Sequence, residues 1–240
     1  MRKDHRPYYI KNLSDKFETW YAQYYLAPQC EYFGHGLRFM KPWAVKIYHG
    51  PVSIGDYATF VATSDKKIRL TVWSADENSG KIDIGRYCII CPGTRISSAT
   101  SVTLGDDCMV AQNVCITDSD WHDLYDRSQS IGSTEAVTIG KNVWIGDSAI
   151  IGKGVHLGDN AVIGAGAIVV KDIPANAIAV GNPASVIKYL DADKPIKSRS
   201  QWMADPQKMN GYFDSVERIM REGNTLFGWF RSILFPRKGD

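Results

Sequence analysis

From Ile139 the chain reads IGKNVW, IGDSAI, IGKGVH, LGDNAV, IGAGAI, VVKDIP, with an aliphatic residue at every sixth position: Ile139, Ile145, Ile151, Leu157, Ile163 and Val169. A small or β-branched residue recurs four places later, at Val143, Ala149, Val155, Ala161, Ala167 and Ile173. A helix of period 3.6 would carry such aliphatics round every face, and a strand of period 2 needs no glycine punctuation. Short strands joined by sharp turns, three hexads to a coil, satisfy the pattern. The lead residue then points inward, the small one fits the crowded corner, and successive coils pair as parallel strands about 4.8 Å apart. Glycine in the second place is expected to take backbone angles that are costly for other residues.

The same frame appears upstream at Ile84, Ile90 and Ile96, then at Leu104, Val110 and Ile116 after a two-residue slip, with an outlying copy at Ile54. Of the 21 glycines, Gly55, Gly85, Gly105, Gly140, Gly146, Gly152, Gly158 and Gly164 hold the second place of a hexad. The frame also accounts for two of the five cysteines: Cys88 and Cys108 fall at the small inward position. Cys88-x-x-Cys91 is then a coincidence of the repeat, and no metal is expected.

Hydrophobic residues at 44% and charged residues at 22% suit a globular chain with a buried core. The net charge of +2 gives no basic surplus of the kind a nucleic-acid binder carries. No apolar run follows the charged start Met1–Arg6, and no apolar stretch of about 18 residues occurs anywhere. A cytoplasmic chain without a disulfide framework is the expectation.

Ile139 follows Ile116 by 23 positions where the repeat allows six. A coil stack can extrude such a loop and resume in register, and loops on a rigid scaffold are where catalysis tends to sit. This one holds Asp118-Ser-Asp120-Trp-His122-Asp-Leu-Tyr-Asp-Arg127, acids and aromatics around one histidine. Histidine titrates near neutrality and is the usual base for activating a hydroxyl.

The repeat, together with the closing run Val169-Val-Lys-Asp-Ile-Pro174 and Ala179-Val-Gly-Asn-Pro-Ala184, resembles the hexapeptide-repeat acyltransferases. Asn142-Val-Trp-Ile-Gly146 and the insert look most like the sugar and polysaccharide O-acetyltransferases among them. The resemblance covers about 84–190, and more weakly reaches back to Ile54. It implies an all-β core, a left-handed parallel β-helix, with α-helical flanks at both ends. The expected division is 1–45 as an N-terminal helical or irregular flank, 46–190 as the β-helix and 191–240 as C-terminal amphipathic helices.

The resemblance also implies acetyl-CoA as co-substrate, a sugar or glycan acceptor, and a homotrimer with active sites between subunits. His122 is the matching general base for direct transfer, with a backbone N–H near a coil corner holding the oxyanion. Asp118 or Asp120 would orient the imidazole, and the residues do not choose between them. Carried over position by position, the pantetheine-side contacts fall at Asp147, Ala165 and Lys171, with Ser185 and Lys188 nearer the nucleotide. Close relatives often carry a small or hydroxyl residue in place of Asp147 and a basic one in place of Ser185. Phosphate contacts are therefore redistributed, to Lys188 or Arg199. N-acylation of an amino sugar shares this base and cofactor. A non-catalytic scaffold is a further alternative, and the long loop argues against it. A zinc enzyme of the γ-class carbonic anhydrase type would need a His-x4-His pair, which the chain lacks.

At the flanks, Ser14 to Leu26 reads as a helix stopped by Pro28, with Phe17, Trp20, Tyr21, Tyr24 and Tyr25 on one face. Such a stripe is expected to pack into the core, with a sugar platform as the alternative. Asp205-Pro206 opens a second helix bearing Met209, Tyr212, Phe213, Val216, Ile219 and Met220, and Gly223 ends it. A short third helix carries Leu226, Trp229, Phe230, Ile233 and Leu234. Two readings of 225–238 stand: packing on the β-helix or a neighbouring subunit, or peripheral contact with an anionic membrane.

Overall fold

The computed structural model describes residues 4–73 and 80–238. The chain winds into a left-handed parallel β-helix of three faces. Strands Tyr32–Phe33, Val52–Ile54, Ile82–Ile84, Val102–Leu104, Val137–Ile139 and His156–Leu157 stack in that order on the first face. Arg38–Met40, Thr59–Val61, Ile89–Ile90, Met109–Val110, Trp144–Ile145, Val162–Ile163 and Ala177–Gly181 form the second. Val45–Tyr48, Ile68–Val72, Arg95–Ser98, Cys115–Thr117, Ile150–Ile151 and Ile168–Val169 form the third. An antiparallel return strand, Ala184–Tyr189, closes the second face beside Ala177–Gly181.

Register follows the hexads. Ile84, Leu104, Ile139 and Leu157 stand over one another on the first face. Ile90, Val110, Ile145 and Ile163 do so on the second, and Ile96, Ile116, Ile151 and Val169 on the third. Each of these leads is buried, as are Cys88, Cys108, Val143, Ala149, Val155, Ala161 and Ala167 at the small position. Fully burying one such aliphatic is worth roughly 1.5–3 kcal/mol, so the stack of leads is the main source of cohesion. All five cysteines are free thiols, with the Cys88 and Cys108 sulfurs facing the carbonyls of Gly105 and Gly140.

The stack starts earlier than the repeat reveals. Residues 32–48 form a first coil whose inward positions are taken by Phe33, Phe39 and the pair Val45 and Ile47. Phe39 lies between Phe33 and Phe60, with ring centroids 5.8 and 5.0 Å away and near-parallel planes. Aromatic leads break the aliphatic signature while filling the same axial space.

The glycines act differently from the expectation. None of the second-place glycines has a positive φ. A Cβ on Gly85 would lie 2.6 Å from the carbonyl carbon of Gly105, and one on Gly105 would lie 2.7 Å from that of Gly140. Second-place glycine therefore lets one coil settle on the next. The left-handed backbone occurs two places further on, at Asp107, Asn113, Asn142, Ser148, Asn160 and Asn176. Asparagine tolerates that region, and its side chain can bond the neighbouring coil. The Asn142 amide donates to Asn160 Oδ1 at 2.9 Å, and the Asn160 amide to Asn176 Oδ1 at 3.0 Å.

The flanking helices pack outside the coils. Helix α1 (Tyr8–Tyr21) runs into a π-helical turn over Ala22–Leu26, and only Ala22 and Leu26 enter the core. Phe17, Trp20, Tyr24 and Tyr25 are about half exposed, stacking on one another, with Phe17 and Tyr21 beside Trp43. The aromatic stripe is thus a surface cluster and not core. Beyond the return strand come α2 (Arg199–Trp202), α3 (Pro206–Met220) and α4 (Leu226–Leu234). Asp205 caps α3 by accepting from the Lys208 N–H at 2.9 Å, and Gly223 at φ +75° ends the turn beyond it. Met209 is buried, whereas Tyr212, Ile219 and Met220 face outward. Among the described residues, no helix is long and apolar enough to cross a membrane.

Candidate active site

The insert between Ile116 and Ile139 leaves the stack where the third face turns into the first, and Asp118 fixes its departure. The Asp118 carboxylate is fully buried and accepts from Ser98 Oγ at 2.8 Å, the Ala99 N–H at 2.7 Å and the Thr100 N–H at 2.8 Å. Those donors belong to the corner one coil below, the place where the hexad register slips by two residues. The wider turn exposes two backbone N–H groups, and charge-assisted bonds of this kind are among the stronger ones. The slip and the insert are one construction.

Two strands of the loop then pair briefly. The Glu135 N–H donates to the Asp118 carbonyl at 2.8 Å, the Asp120 N–H to Ser133 at 3.0 Å, and the Gly132 N–H back to Asp120 at 2.8 Å. The Asp120 side chain forms an ion pair with Lys153 from the coil above. At the tip, Asp123 Oδ1 accepts from the N–H groups of Tyr125 and Asp126, both at 2.8 Å. Asp126 accepts from the Ser128 N–H and hydroxyl and from the Gln129 amide at 3.2 Å. Backbone donors hold the Asp123 carboxyl below the usual carboxylate range, and the Ser128 hydroxyl does so for Asp126. Both stay ionised as loop-building groups.

His122 sits on this frame with its ring exposed. Nδ1 lies 3.2 Å from the carbonyl oxygen of Gln129. A carbonyl can only accept, so this contact favours the tautomer with hydrogen on Nδ1 and leaves Nε2 as the proton acceptor. Asp118 and Asp120, the two acids expected near the ring, are engaged with the coil below and with Lys153. The partner found for the imidazole is a main-chain group instead, and no side-chain pattern in the sequence signals it. Beside the ring is a cleft of about 840 Å³ lined by Trp73, Trp121, His122, Ser128, Gln129, Ser130 and Ile131. Trp73 comes from the same corner two coils below the loop, just past strand Ile68–Val72. No motif in the sequence places Trp73 in this cleft.

The residues expected to meet the cofactor divide between two corners. Asp147 and Ala165 stack where the second face turns into the third, with the Gly166 N–H donating to the Asp147 carbonyl at 2.8 Å. Ser185 joins that edge through its pairing with Val180. Lys171 stands at the other corner, above the His122 loop, and Lys188 lies on the return strand opposite Ile178. Ala165, Lys171, Ser185 and Lys188 are exposed. A Cβ on Gly166 would meet nothing within 4 Å, so the Asp147–Ala165 edge is an open, small-residue ledge onto which an extended chain can lie close to the backbone. The residues present fit a pantetheine arm in that respect. Arg199 is spent elsewhere, donating to the Tyr87 carbonyl at 2.7 Å and to Thr59.

The family profile for bacterial transferase hexapeptides (six repeats) matches residues 136–171, and that for the hexapeptide repeat of succinyl-transferase matches 82–118. Both matches lie within the coil stack. Two similar proteins carry the same hexapeptide region. The polysialic acid O-acetyltransferase of Escherichia coli O1:K1 / APEC is 42% identical over 111 residues, which is 45% of this chain and 36% of that one. The galactoside O-acetyltransferase of E. coli strain K12 is 41% identical over 116 residues, 47% of this chain and 57% of that one. The match thus spans about a third to somewhat over half of these relatives' own length. Among solved structures, a galactoside acetyltransferase in complex with coenzyme A superposes with a TM-score of 0.50 at 26% identity, covering 80% of this chain and 90% of that one. The N-acyltransferase AntD from Bacillus cereus, with a TM-score of 0.55 at 18% identity, covers 80% of this chain and 94% of that one and is similar in fold.

Proposed function

We propose that the chain is an acetyl-CoA-dependent O-acetyltransferase that acylates a hydroxyl of a sugar or surface-polysaccharide precursor, with His122 as the general base. The observation that carries this reading is the His122 imidazole, whose Nδ1 is turned to the Gln129 carbonyl while the ring borders a cleft of substrate size. His122 Nε2 takes the proton of the acceptor hydroxyl as its oxygen attacks, which contributes typically 10²–10⁴-fold in rate. Acetyl-CoA supplies the acyl group as a thioester. The proton held on the imidazolium then goes to the departing sulfur, so no acyl-enzyme is needed. A backbone N–H at a coil corner holds the oxyanion. Asp118 and Asp120 act as positioning residues, the first anchoring the loop and the second tying it to Lys153. Support comes from relatives named for O-acetylation of polysialic acid and galactosides and from the coenzyme A held by the galactoside acetyltransferase.

The division of the expected cofactor contacts supports a homotrimer. His122 and Lys171 occupy one corner of the prism and Asp147, Ala165 and Ser185 another, so one chain does not wrap a donor by itself. Two corners from adjacent copies, facing each other across a groove, would. A second surface supports peripheral attachment through 225–238. Helix α4 exposes Phe227, Phe230, Ile233 and Leu234, Phe235 follows, and the only charges from Gly223 to Lys238 are Arg231, Arg237 and Lys238. This is the composition of a helix lying in an anionic interface, where a lipid-linked glycan precursor is found.

The test is release of free CoA thiol from acetyl-CoA across a panel of saccharides, wild type against His122→Ala. Acceptor-dependent release that disappears in the variant supports the reading, and equal release from both overturns it. Amino sugars in the same panel test N-acylation.

A further inference from the structure

The cleft beside His122 has a lining of one particular chemistry. Two indoles, Trp73 and Trp121, face it together with the small polar residues Ser128 and Ser130 and the amide of Gln129. Apart from His122, no described residue on its wall can carry charge. Trp73 is 51% exposed, an uncommon state for a side chain whose burial is so favourable, and the His49 ring braces it at 5.5 Å between centroids. A flat apolar plate with hydroxyl and amide groups beside it complements a ligand with an apolar face and a polar rim. A pyranose is such a ligand, because its axial C–H groups gather on one face while its hydroxyls project around the edge. A carboxylated or phosphorylated sugar would lose water on entering without meeting a cation, which is costly.

Position strengthens the match. Trp73 belongs to the coil that carries strand Ile68–Val72, below the loop, whereas Lys153 and Lys171 lie on the two coils above it along the same edge. The aromatic cleft and the basic edge therefore flank His122 from opposite ends of the prism. An acceptor entering over Trp73 and a donor lying toward Lys171 would meet at the imidazole.

We propose that Trp73 and Trp121 form the acceptor subsite of this protein and that it selects a neutral pyranoside, presenting one ring hydroxyl to His122 Nε2. This rests on the acyl-transfer reading for its catalytic consequence, but the binding itself does not. The experiment uses the full chain with three probes: methyl β-D-galactopyranoside, methyl α-D-glucopyranoside and the methyl glycoside of N-acetylneuraminic acid. Saturation-transfer NMR without acetyl-CoA reads binding, and CoA release with acetyl-CoA reads transfer. At least one neutral glycoside is expected to bind, with its strongest saturation on the C–H groups of one ring face, and to bind better than the sialoside. Trp73→Ala is expected to raise its Kd and KM by roughly tenfold or more, the loss of one well-stacked ring face. Trp73→Phe recovers most of that loss, and KM for acetyl-CoA moves less than threefold in either variant.

Preference for the sialoside, failure of both neutral glycosides to bind, or an unchanged Kd in Trp73→Ala overturns the subsite. A loss of acetyl-CoA affinity equal to the loss of glycoside affinity in Trp73→Ala also overturns it, since that points to a collapsed loop. Trp73-dependent glycoside binding without any CoA release leaves the subsite standing and removes the transfer reading. CoA release with the sialoside alone does the reverse.

Discussion

His122 Nδ1 faces the carbonyl oxygen of Gln129 at 3.2 Å, seven residues further along the same loop. The imidazole is thus oriented by the fold of its own loop, and the loop's carboxylates serve that fold. Asp126 holds the Gln129 side chain, Asp123 shapes the tip, and Asp118 ties the whole to the coil below. His122→Ala is expected to lower kcat by about 10²–10⁴-fold with little change in thermal stability, because the ring is exposed and makes one hydrogen bond. Steady-state CoA release and a melting curve on the same preparation check both halves.

Asp118→Asn separates anchoring from proton relay. The amide would turn an NH₂ toward one of the three donors that Asp118 now accepts, leaving a buried group unsatisfied at a cost of about 1–3 kcal/mol. The variant is expected to melt at lower temperature and to lose activity through displacement of the loop. Its pH–rate profile should keep the wild-type shape. A profile whose limbs move would mean that Asp118 shares the titration of the base, contrary to the geometry.

The hexad glycines make a paired prediction. Gly105→Ala places a Cβ 2.7 Å from the Gly140 carbonyl carbon, so the coils must part, at a cost of roughly 1–3 kcal/mol or more. Gly166→Asn meets no atom within 4 Å, and asparagine already occupies the matching left-handed corners at Asn142 and Asn160. It should cost no more than about 1 kcal/mol. Denaturant midpoints measured side by side test the contrast, and equal losses from the two variants would overturn it.

That contrast marks what the sequence made legible. Period and inward positions were readable from Ile84 onward because axial burial repeats with the chain's own winding. The physical reason for glycine was not, since the clash it avoids is with a residue 16 to 35 positions away. The first coil carries no aliphatic signature because Phe33 and Phe39 do the work of aliphatics. The insert was visible as an interruption, and His122 as its one histidine. The Gln129 carbonyl left no trace, because a main-chain acceptor is available at every residue. The aromatic stripe of α1 lies on the surface where its spacing predicts core, since the period of a helix reports an apolar face and not what covers it. The π-helical turn after Tyr21 sends only Ala22 and Leu26 inward.

The N-terminal segment is clasped by the turn between α3 and α4. Arg221, itself buried, donates to Asp4 Oδ2 at 2.8 Å and pairs with Glu217, while the Asn224 amide donates to the carbonyls of Asp4 and Arg6. Hydrogen bonds from Arg6 first, then from Arg221, hold the Asp4 carboxyl well below the usual carboxylate range. A carboxyl depressed by folding contributes stability that is fully present above its unfolded value near 4 and is lost as pH falls through the folded one. The clasp should therefore survive mild acid and open only well below pH 4. Asp4→Asn should open it at neutral pH. Limited proteolysis at neutral pH would show it: faster release of the C-terminal helices from the variant, with the β-helix left intact.

The exposed face of α4 yields the last prediction. Phe227 is 80% exposed, and Phe230, Ile233, Leu234 and Phe235 lie bare nearby. In water this is an unfavourable surface; against acyl chains each fully buried side chain returns roughly 1.5–3 kcal/mol. The three cations that follow Gly223 add about 1 kcal/mol each near an anionic leaflet, and salt screens that part alone. Full-length protein should co-sediment with vesicles containing phosphatidylglycerol and less with phosphatidylcholine alone. Raising salt should weaken the binding without abolishing it. Phe227→Ser with Phe230→Ser should remove most of it while leaving CoA release with a soluble glycoside near the wild-type rate, since no α4 residue lines the cleft beside His122. Equal pelleting of the double variant would mean that α4 does not touch the bilayer. A variant that stays off vesicles but has lost its native oligomeric state would show that the face belongs to a neighbouring copy.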